Sequence, residues 1–386
     1  MVPKPLPADA PLARFLTCFG TIASMKKTPM LIFDAHLDLG LNGVDWNRDL
    51  RMDVAEIRAS EKTLGMTDPG RTTNTVSFPE LRKAGVGVGV ATVLARIETP
   101  INHPFGHTTP EACYAFAMAH LAYYWGMERC GAMRMIKTPS ELEAHVAAYR
   151  ANPDTTPFGY ILSMECADPI LDPDQIFEWH ANGLRAIGIT HYGPNRYGGG
   201  TRSEAGLAAE ALPLLKNIEA LGIALDLTHL SDRAFAQVAD QFGGRVLASH
   251  QNARVFCDWQ RQFSDAQIKF VIERNGVLGV ALDAVMLQPG WVRGTSKPEV
   301  TLERAVDNID HVCQLAGNTR HIGIGSDLDG GYGKEQTPAD LDTIADLQKF
   351  PELLLKRGYS ETDIQGIMHG NWLRFFSEVL SFSPEF

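Results

Sequence analysis

The stretch Leu31-Ile32-Phe33-Asp34-Ala35-His36-Leu37-Asp38 decides how the rest of the chain is read. It alternates strictly, and side chains on a β-strand point to opposite faces in turn. Phe33, Ala35 and Leu37 form an apolar face. Asp34, His36 and Asp38 form the other: a carboxylate, an imidazole and a second carboxylate in a row. Burying such a row is costly unless something pairs with it. A divalent cation would, because His nitrogen and Asp oxygen are ordinary zinc ligands. A lone His-x-Asp is commonplace, so the pattern acquires meaning only from what lies downstream.

Seven further apolar runs follow, at 85–94, 160–165, 184–191, 223–229, 245–250, 276–282 and 321–327. Helical patterns separate them, at 53–64, 78–83, 111–127, 140–149, 174–182, 204–221, 232–242, 265–275, 302–315, 338–350 and 361–379. Ser231, Ser264 and Thr301 stand as N-caps, and Gly183 and Gly222 close helices. Near-continuous apolar strands separated by helices argue for parallel pairing, and eight of them for a (β/α)8 barrel. The glycines of 85–89 lack the strand-turn-helix context of a dinucleotide site and read as tight packing. Gly198–Gly200 lacks a following Lys-Ser/Thr and reads as a mobile loop. One domain is expected over 31–386, preceded by a weakly ordered extension over 1–30. Met25 and Met30 both precede the first strand, so translation beginning later than Met1 is consistent with this reading.

The 386 residues are 45% hydrophobic and 21% charged, an ordinary globular balance. A net charge of −11 disfavours nucleic acid and anionic membrane as partners. No apolar run reaches the length of a membrane span. Cys18, Cys113, Cys130, Cys166, Cys257 and Cys313 contain no CxxC pair and read as reduced thiols.

The polar residues at the ends of the apolar runs then fall into order. His36 and Asp38 end the first, Glu165 the third, His191 the fourth, His229 the fifth, His250 the sixth and Asp327 the eighth. Carboxyl-terminal strand ends of a barrel converge on one face, which carries the chemistry. His36, Asp38, His229 and His250 offer nitrogen and oxygen without thiolate, which suits Zn²⁺. Glu165 has two oxygens with which to bridge two ions. Paired metals sharing a hydroxide describe a hydrolase. Asp327 is then the proton shuttle, with Asp329 its rival two residues on, and His191 donates to the carbonyl oxygen. Asp34 is expected to orient a ligand, and Cys166 to pack. The remaining histidines (103, 107, 120, 145, 180, 311, 321 and 369) read as loop or helix-surface residues.

These residues resemble the membrane (renal) dipeptidase family, a branch of the amidohydrolase-type metal barrels. The resemblance rests on Asp-Ala-His36-Leu-Asp38, Met-Glu165, Ile-Thr-His191, Asp-Leu-Thr-His229-Leu-Ser, Ala-Ser-His250, Gly-Ser-Asp327-Leu-Asp-Gly and Gly370-Asn371-Trp372-Leu373-Arg374. It implies a binuclear zinc barrel that cleaves dipeptides, including those with a D-residue at the C-terminal position. His36 and Asp38 would hold one zinc, His229 and His250 the other, with Glu165 between them. It also implies an Arg that takes the substrate's terminal carboxylate, at Arg261, a position that otherwise reads as surface and has Arg254 as its rival. A homodimer is implied as well. Cys166 stands where the family commonly has Gly, and the second strand ends without the family's frequent aromatic; both changes touch the pocket. Neither a eukaryotic secretion signal nor a lipid-anchor tail is recognisable, so a soluble cytoplasmic enzyme is expected, with soluble export the other course. Two rivals share the fold: an amidase, lactamase or lactonase using the same metals, and a catalytically silent barrel used for binding.

Overall fold

In the computed structural model, which describes residues 29–98 and 106–383, eight strands pair side by side and every pairing is parallel. They are β1 (Ile32–Leu37), β2 (Val86–Leu94), β3 (Phe158–Glu165), β4 (Leu184–Gly188), β5 (Ala224–Asp226), β6 (Val246–Leu247), β7 (Leu278–Val280) and β8 (Ile322–Ile324). Their order is β7-β8-β1-β2-β3-β4-β5-β6. A bridge between Ala248, just past β6, and Leu278 of β7 joins the two ends. Ala248 N donates to Val277 O at 3.0 Å, and Gly279 N to Ala248 O at 2.8 Å. The expected (β/α)8 barrel is therefore present. The expected 1–30 extension lies outside the described residues except for Pro29 and Met30, as do Cys18 and His103.

The alternation of β1 explains its place. Phe33 stacks on Phe376 (5.5 Å between centroids) and Trp372 (6.2 Å) of the last helix, Asn371–Leu380. Trp372 Nε1 donates to Ile324 O of β8 at 2.9 Å. The last helix thus ties β1 to β8. In β2 the glycines serve packing: a Cβ on Gly87 would meet the Tyr149 ring at 2.7 Å, and one on Gly89 would meet Asp34 O at 2.3 Å. Ser231 Oγ accepts from Ala234 N (3.0 Å) and Ser264 Oγ from Gln267 N (3.4 Å), as their capping positions require.

Several expectations are corrected. A short strand over Met133–Met135 pairs with Phe158–Tyr160, occupying the part of the β3 edge that β4 leaves open. Three residues are too few to carry a readable period. The helix expected from Glu204 begins at Ala211. Residues before it are held by the glycine loop instead: Gly199 N donates to Gly206 O (3.0 Å) and Ala208 N to Tyr197 O (3.0 Å). With Ser231 N also donating to Gly199 O at 2.9 Å, that loop is pinned at several points rather than loose. The helix expected over 338–350 is a 3₁₀ segment, Ile344–Lys349, followed by an α-helix over Phe350–Lys356, because Pro351 begins a helix rather than ending one. His120, His145, His321 and His369 are buried, not on the surface. His120 Nε2 pairs with Asp45 Oδ2 at 2.6 Å, and His145 Nε2 lies 2.9 Å from Gly87 O. Among the described residues no helix is long and apolar enough to cross a membrane.

Candidate metal centre

Four of the expected strands overrun the observed ones by three residues. His191, His229, His250 and Asp327 are each the third residue past the end of β4, β5, β6 and β8. Glu165 is the last residue of β3; His36 lies within β1, with Asp38 just past it. The chain leaves the ladder at these positions. His229 and Asp327 take left-handed φ values of 69° and 58°, a conformation that costs a residue with a Cβ about 1–3 kcal/mol and is concentrated at functional sites.

The structure brings the expected ligands together. His36 Nε2 lies 3.5 Å from Asp38 Oδ2, 3.7 Å from Glu165 Oε2 and 3.9 Å from Asp327 Oδ1. The other oxygen of Glu165, Oε1, lies 3.2 Å from His229 Nε2 and 3.4 Å from His250 Nε2. Those two nitrogens are 3.2 Å apart. Three groupings have ligand atoms within 4.8 Å of one another: His36–Asp38–Glu165, Glu165–His229–His250 and His36–His250–Asp327. His191 joins none of them. Its Nε2 is 3.8 Å from Glu165 Oε1, and its ring centroid is 4.4 Å from that of His229.

Neighbours that the sequence reading passed over hold these side chains. Thr201 Oγ1 lies 2.9 Å from His229 Nδ1 and 3.5 Å from His229 O. Ser249 Oγ lies 2.8 Å from His250 Nδ1 and 3.3 Å from His36 Nδ1. Engaging Nδ1 turns the Nε2 lone pair toward the centre, the usual arrangement of a metal-binding imidazole. Asp34 plays its expected orienting part by accepting from His36 N (3.2 Å) and Ser326 N (2.9 Å) through Oδ1. Asp226, buried behind His229, accepts from Thr228 N and Ser249 N, both at 3.0 Å. Thr201 and Ser249 flank ligands without a period of their own. Asp226, three residues before His229, was legible by analogy with Asp34 before His36.

Asp327 and Asp329 separate cleanly. Asp329 is fully buried away from the centre and accepts from Thr75 N (2.7 Å), Thr75 Oγ1 (2.8 Å) and Val76 N (2.9 Å). It fastens the loop after β8, and Asp327 alone faces His36. Arg261 is buried, not on the surface: Nη1 donates to Gln251 Oε1 (2.8 Å) and Nη2 to His250 O (3.0 Å). Its rival Arg254 is paired at the rim with Asp232 at 2.8 Å. Cys166 is buried with its thiol directed to Asp168 Oδ2 at 3.4 Å, as a packing residue.

Charge is distributed unevenly. Burial works to lower the His36 pKa, but Glu165 and Asp38 overcome it and push the imidazole up to about 10. Burial holds His229 and His250 well below the ordinary histidine value, reinforced by the Arg261 guanidinium. Burial also lifts the carboxyls of Glu165 and Asp327. Buried imidazole nitrogens and carboxylate oxygens converge here, and His36 Nε2 and Asp38 Oδ1 have no hydrogen-bond partner among the described residues; this donor set fits divalent cations.

The fold and this rim define a barrel of the metal-dependent hydrolase class. The model of the membrane dipeptidase family, peptidase family M19, matches residues 24–385, and the chain belongs to that family. It is 26% identical over 208 residues to the dipeptidase tcpJ of Claviceps purpurea, across 52% of this chain and 46% of that protein. The chain thus matches about half the length of such curated dipeptidases. A solved metallopeptidase of family M19, dipeptidase AC, superposes with a TM-score of 0.74 at 23% identity, covering 92% of this chain and 100% of the other. A metallopeptidase from Rhodobacter sphaeroides, solved with a phosphinate mimic of L-Ala-D-Ala, gives 0.73 at 22% identity over 91% of this chain and 99% of its own. At these identities the likeness is one of fold.

Proposed function

We propose that this chain is a binuclear zinc dipeptidase. The observation that carries the reading is the split carboxylate of Glu165, with Oε2 toward His36 and Oε1 toward His229 and His250. His36 and Asp38 would hold one ion and His229 and His250 the other, with Glu165 shared. Bound there, such ions supply an acidified water and Lewis-acid contact to the scissile carbonyl.

The protein's own groups do the rest. Asp327, whose burial favours the protonated form, takes a proton at its carboxylate and delivers it to the leaving amine nitrogen. His191, beside Glu165 but outside the ligand groupings, donates a hydrogen bond to the carbonyl oxygen as negative charge develops there. Arg261, fixed by Gln251 and the His250 carbonyl, turns its remaining N–H groups to the substrate's C-terminal carboxylate. A third residue would remove that carboxylate from reach and leave the guanidinium buried and unpaired, so dipeptides are selected.

The five cysteines in the described residues are all free, which suits a reducing cytoplasm. The homodimer implied by the family resemblance is tested by sedimentation velocity. The main test is zinc-loaded protein assayed on dipeptides with L- or D-residues at the second position, tripeptides and neutral amides. Cleavage confined to dipeptides is expected. Cleavage of neutral amides with dipeptides untouched overturns the reading.

A further inference from the structure

The three-residue offset that places four of the rim residues has one further member. Asp283 is the third residue past the end of β7, the position occupied by His191, His229, His250 and Asp327 on β4, β5, β6 and β8. It has no part in the steps above. Oδ1 accepts from Val285 N (2.8 Å), capping the short helix Ala284–Leu287, and from Gln336 Nε2 (2.9 Å). Oδ2 accepts from none of the described residues, and no cation among them lies within 4 Å of the carboxylate. The two guanidiniums whose charge reaches it are committed elsewhere, Arg261 to Gln251 and the His250 carbonyl, Arg293 to Glu335 at 2.8 Å.

A cap needs one acceptor, and a neutral Asn would provide it. A buried carboxylate with an idle oxygen costs far more to desolvate than an amide unless a cation arrives. Burial pushes its carboxyl up to about 6, and no cationic side chain among the described residues forms an ion pair with it. The charge of Asp283 is felt both at Arg261 and at Asp327. Beside them, the buried Tyr332 hydroxyl has no partner among the described residues and also feels Asp283 and Asp327.

This inference rests on the dipeptidase reading. There the C-terminal residue of the substrate spans from its nitrogen, served by Asp327, to its carboxylate, held by Arg261. Asp283 follows β7, whose Val280 pairs with Ile324 of β8, three residues before Asp327. Leu278 of β7 bridges to Ala248, two residues before His250, whose carbonyl holds Arg261; Asp283 therefore lies between the two ends. We infer that Asp283 is a specificity-determining residue that accepts a cationic side chain on the substrate's C-terminal residue, with the Tyr332 oxygen as a second acceptor. The substrates favoured are dipeptides ending in lysine, arginine or a shorter diamino acid. Without Asp283 such a side chain would meet the Arg261 charge unopposed.

The test compares Ala-Lys with Ala-norleucine, which has the same length but no charge, on zinc-loaded wild type, Asp283→Asn and Asp283→Ser. Asn keeps the Oδ1 acceptor, and Ser keeps a cap if Asn folds poorly. The wild type is expected to favour Ala-Lys in kcat/KM. Both variants are expected to lose about tenfold to a hundredfold on Ala-Lys, the worth of a hydrogen bond to a charged group, and to change little on Ala-norleucine. Equal wild-type rates on the two, or equal losses in the variants, overturn the inference while leaving the dipeptidase reading intact. If neither peptide is cleaved, the proposed function is decided by the wider panel of L- and D-dipeptides. Calorimetric binding of the same pair then decides this inference: tighter Ala-Lys binding, lost in Asp283→Asn, upholds it, and equal binding overturns it.

Discussion

On one side of Glu165, His36 stands within 4 Å of two further carboxylates, Asp38 and Asp327; on the other, His229 and His250 face each other and pair with no carboxylate but Glu165 among the described residues. The scaffolds beneath are near copies. Asp34 Oδ1 stitches β1 to the segment after β8 through two backbone N–H groups, and Asp226 Oδ1 stitches β5 to the segment after β6 in the same way. One local device therefore supports two electrostatic environments. The difference comes from what the strand ends present: carboxylates around one imidazole, a second imidazole around the other. The carboxylates raise His36 against the effect of its burial, whereas burial, unopposed by further carboxylates and reinforced by the Arg261 guanidinium, lowers His229 and His250. The two halves are expected to bind their ions with different proton stoichiometry, although both offer nitrogen and oxygen.

The most disruptive way to break the comparison is to remove what both halves share. Glu165→Gln is expected to lower kcat by roughly 10⁴-fold, the scale seen when a central member of a catalytic unit is lost. Bound zinc should fall from two per chain to one or fewer by elemental analysis. Retention of both ions would mean that Glu165 bridges nothing. Next in size is Asp329→Ala, on the carboxylate-rich side. It strands the Thr75 and Val76 N–H groups and should destabilise the fold by about 3–5 kcal/mol in denaturant titrations. The zinc stoichiometry of the folded fraction should be unchanged. Asp327→Asn reverses that pattern, with normal stability and zinc but kcat lower by about 10²–10⁴-fold.

The contrast between those two aspartates shows where the sequence stops being informative. Asp327 and Asp329 share a strand parity, and the Gly-Ser-Asp-Leu-Asp-Gly run treats them alike. Distant groups, the Thr75 and Val76 N–H, the Thr75 hydroxyl and the Arg48 guanidinium, tell them apart, and no local pattern encodes them. The proposed ligands were legible because they stand at or just past the ends of apolar runs and the barrel supplies the convergence. Asp283 was legible on the same ground, since it directly follows the run 276–282. Arg261 was not legible from pattern, because its burial depends on Gln251 and a carbonyl ten and eleven residues away. Thr201 and Ser249 lie still further from any periodic signal, yet they orient three of the four imidazoles at the centre.

Those two hydroxyls sharpen the comparison at smaller cost. Thr201→Val touches only His229, so it should weaken one zinc by about 10–100-fold, the usual effect of losing a ligand's hydrogen-bond partner. Ser249→Ala reaches His250 and His36 together and should weaken both ions. Competition with a fluorescent chelator reads each affinity. Equal behaviour of the two variants would show that the halves are not separately supported.

The finest distinction concerns a single proton. A metal-ligating imidazole must be neutral at the coordinating nitrogen. In the metal-free protein the His36 pKa is raised to about 10, so at pH 8 this side chain carries a proton that an arriving cation has to displace. His229 and His250 are lowered and already neutral at that pH, so a cation entering their half displaces no histidine proton. Zinc titrations at pH 8 in buffers of differing ionisation enthalpy count the protons. With His229→Ala, which leaves the carboxylate-rich half, about one proton should be released per ion, and affinity should fall roughly tenfold for each unit the pH drops. With His36→Ala, which leaves the imidazole-rich half, no histidine proton is released. The proton count at pH 8 should be well below that of the other variant, and the remaining loss of affinity toward pH 7 comes from Glu165, whose carboxyl is pushed up to about 7 by burial. The same release from both variants would mean that the carboxylates do not hold the His36 proton, and the two halves would be electrostatically alike despite their different neighbours.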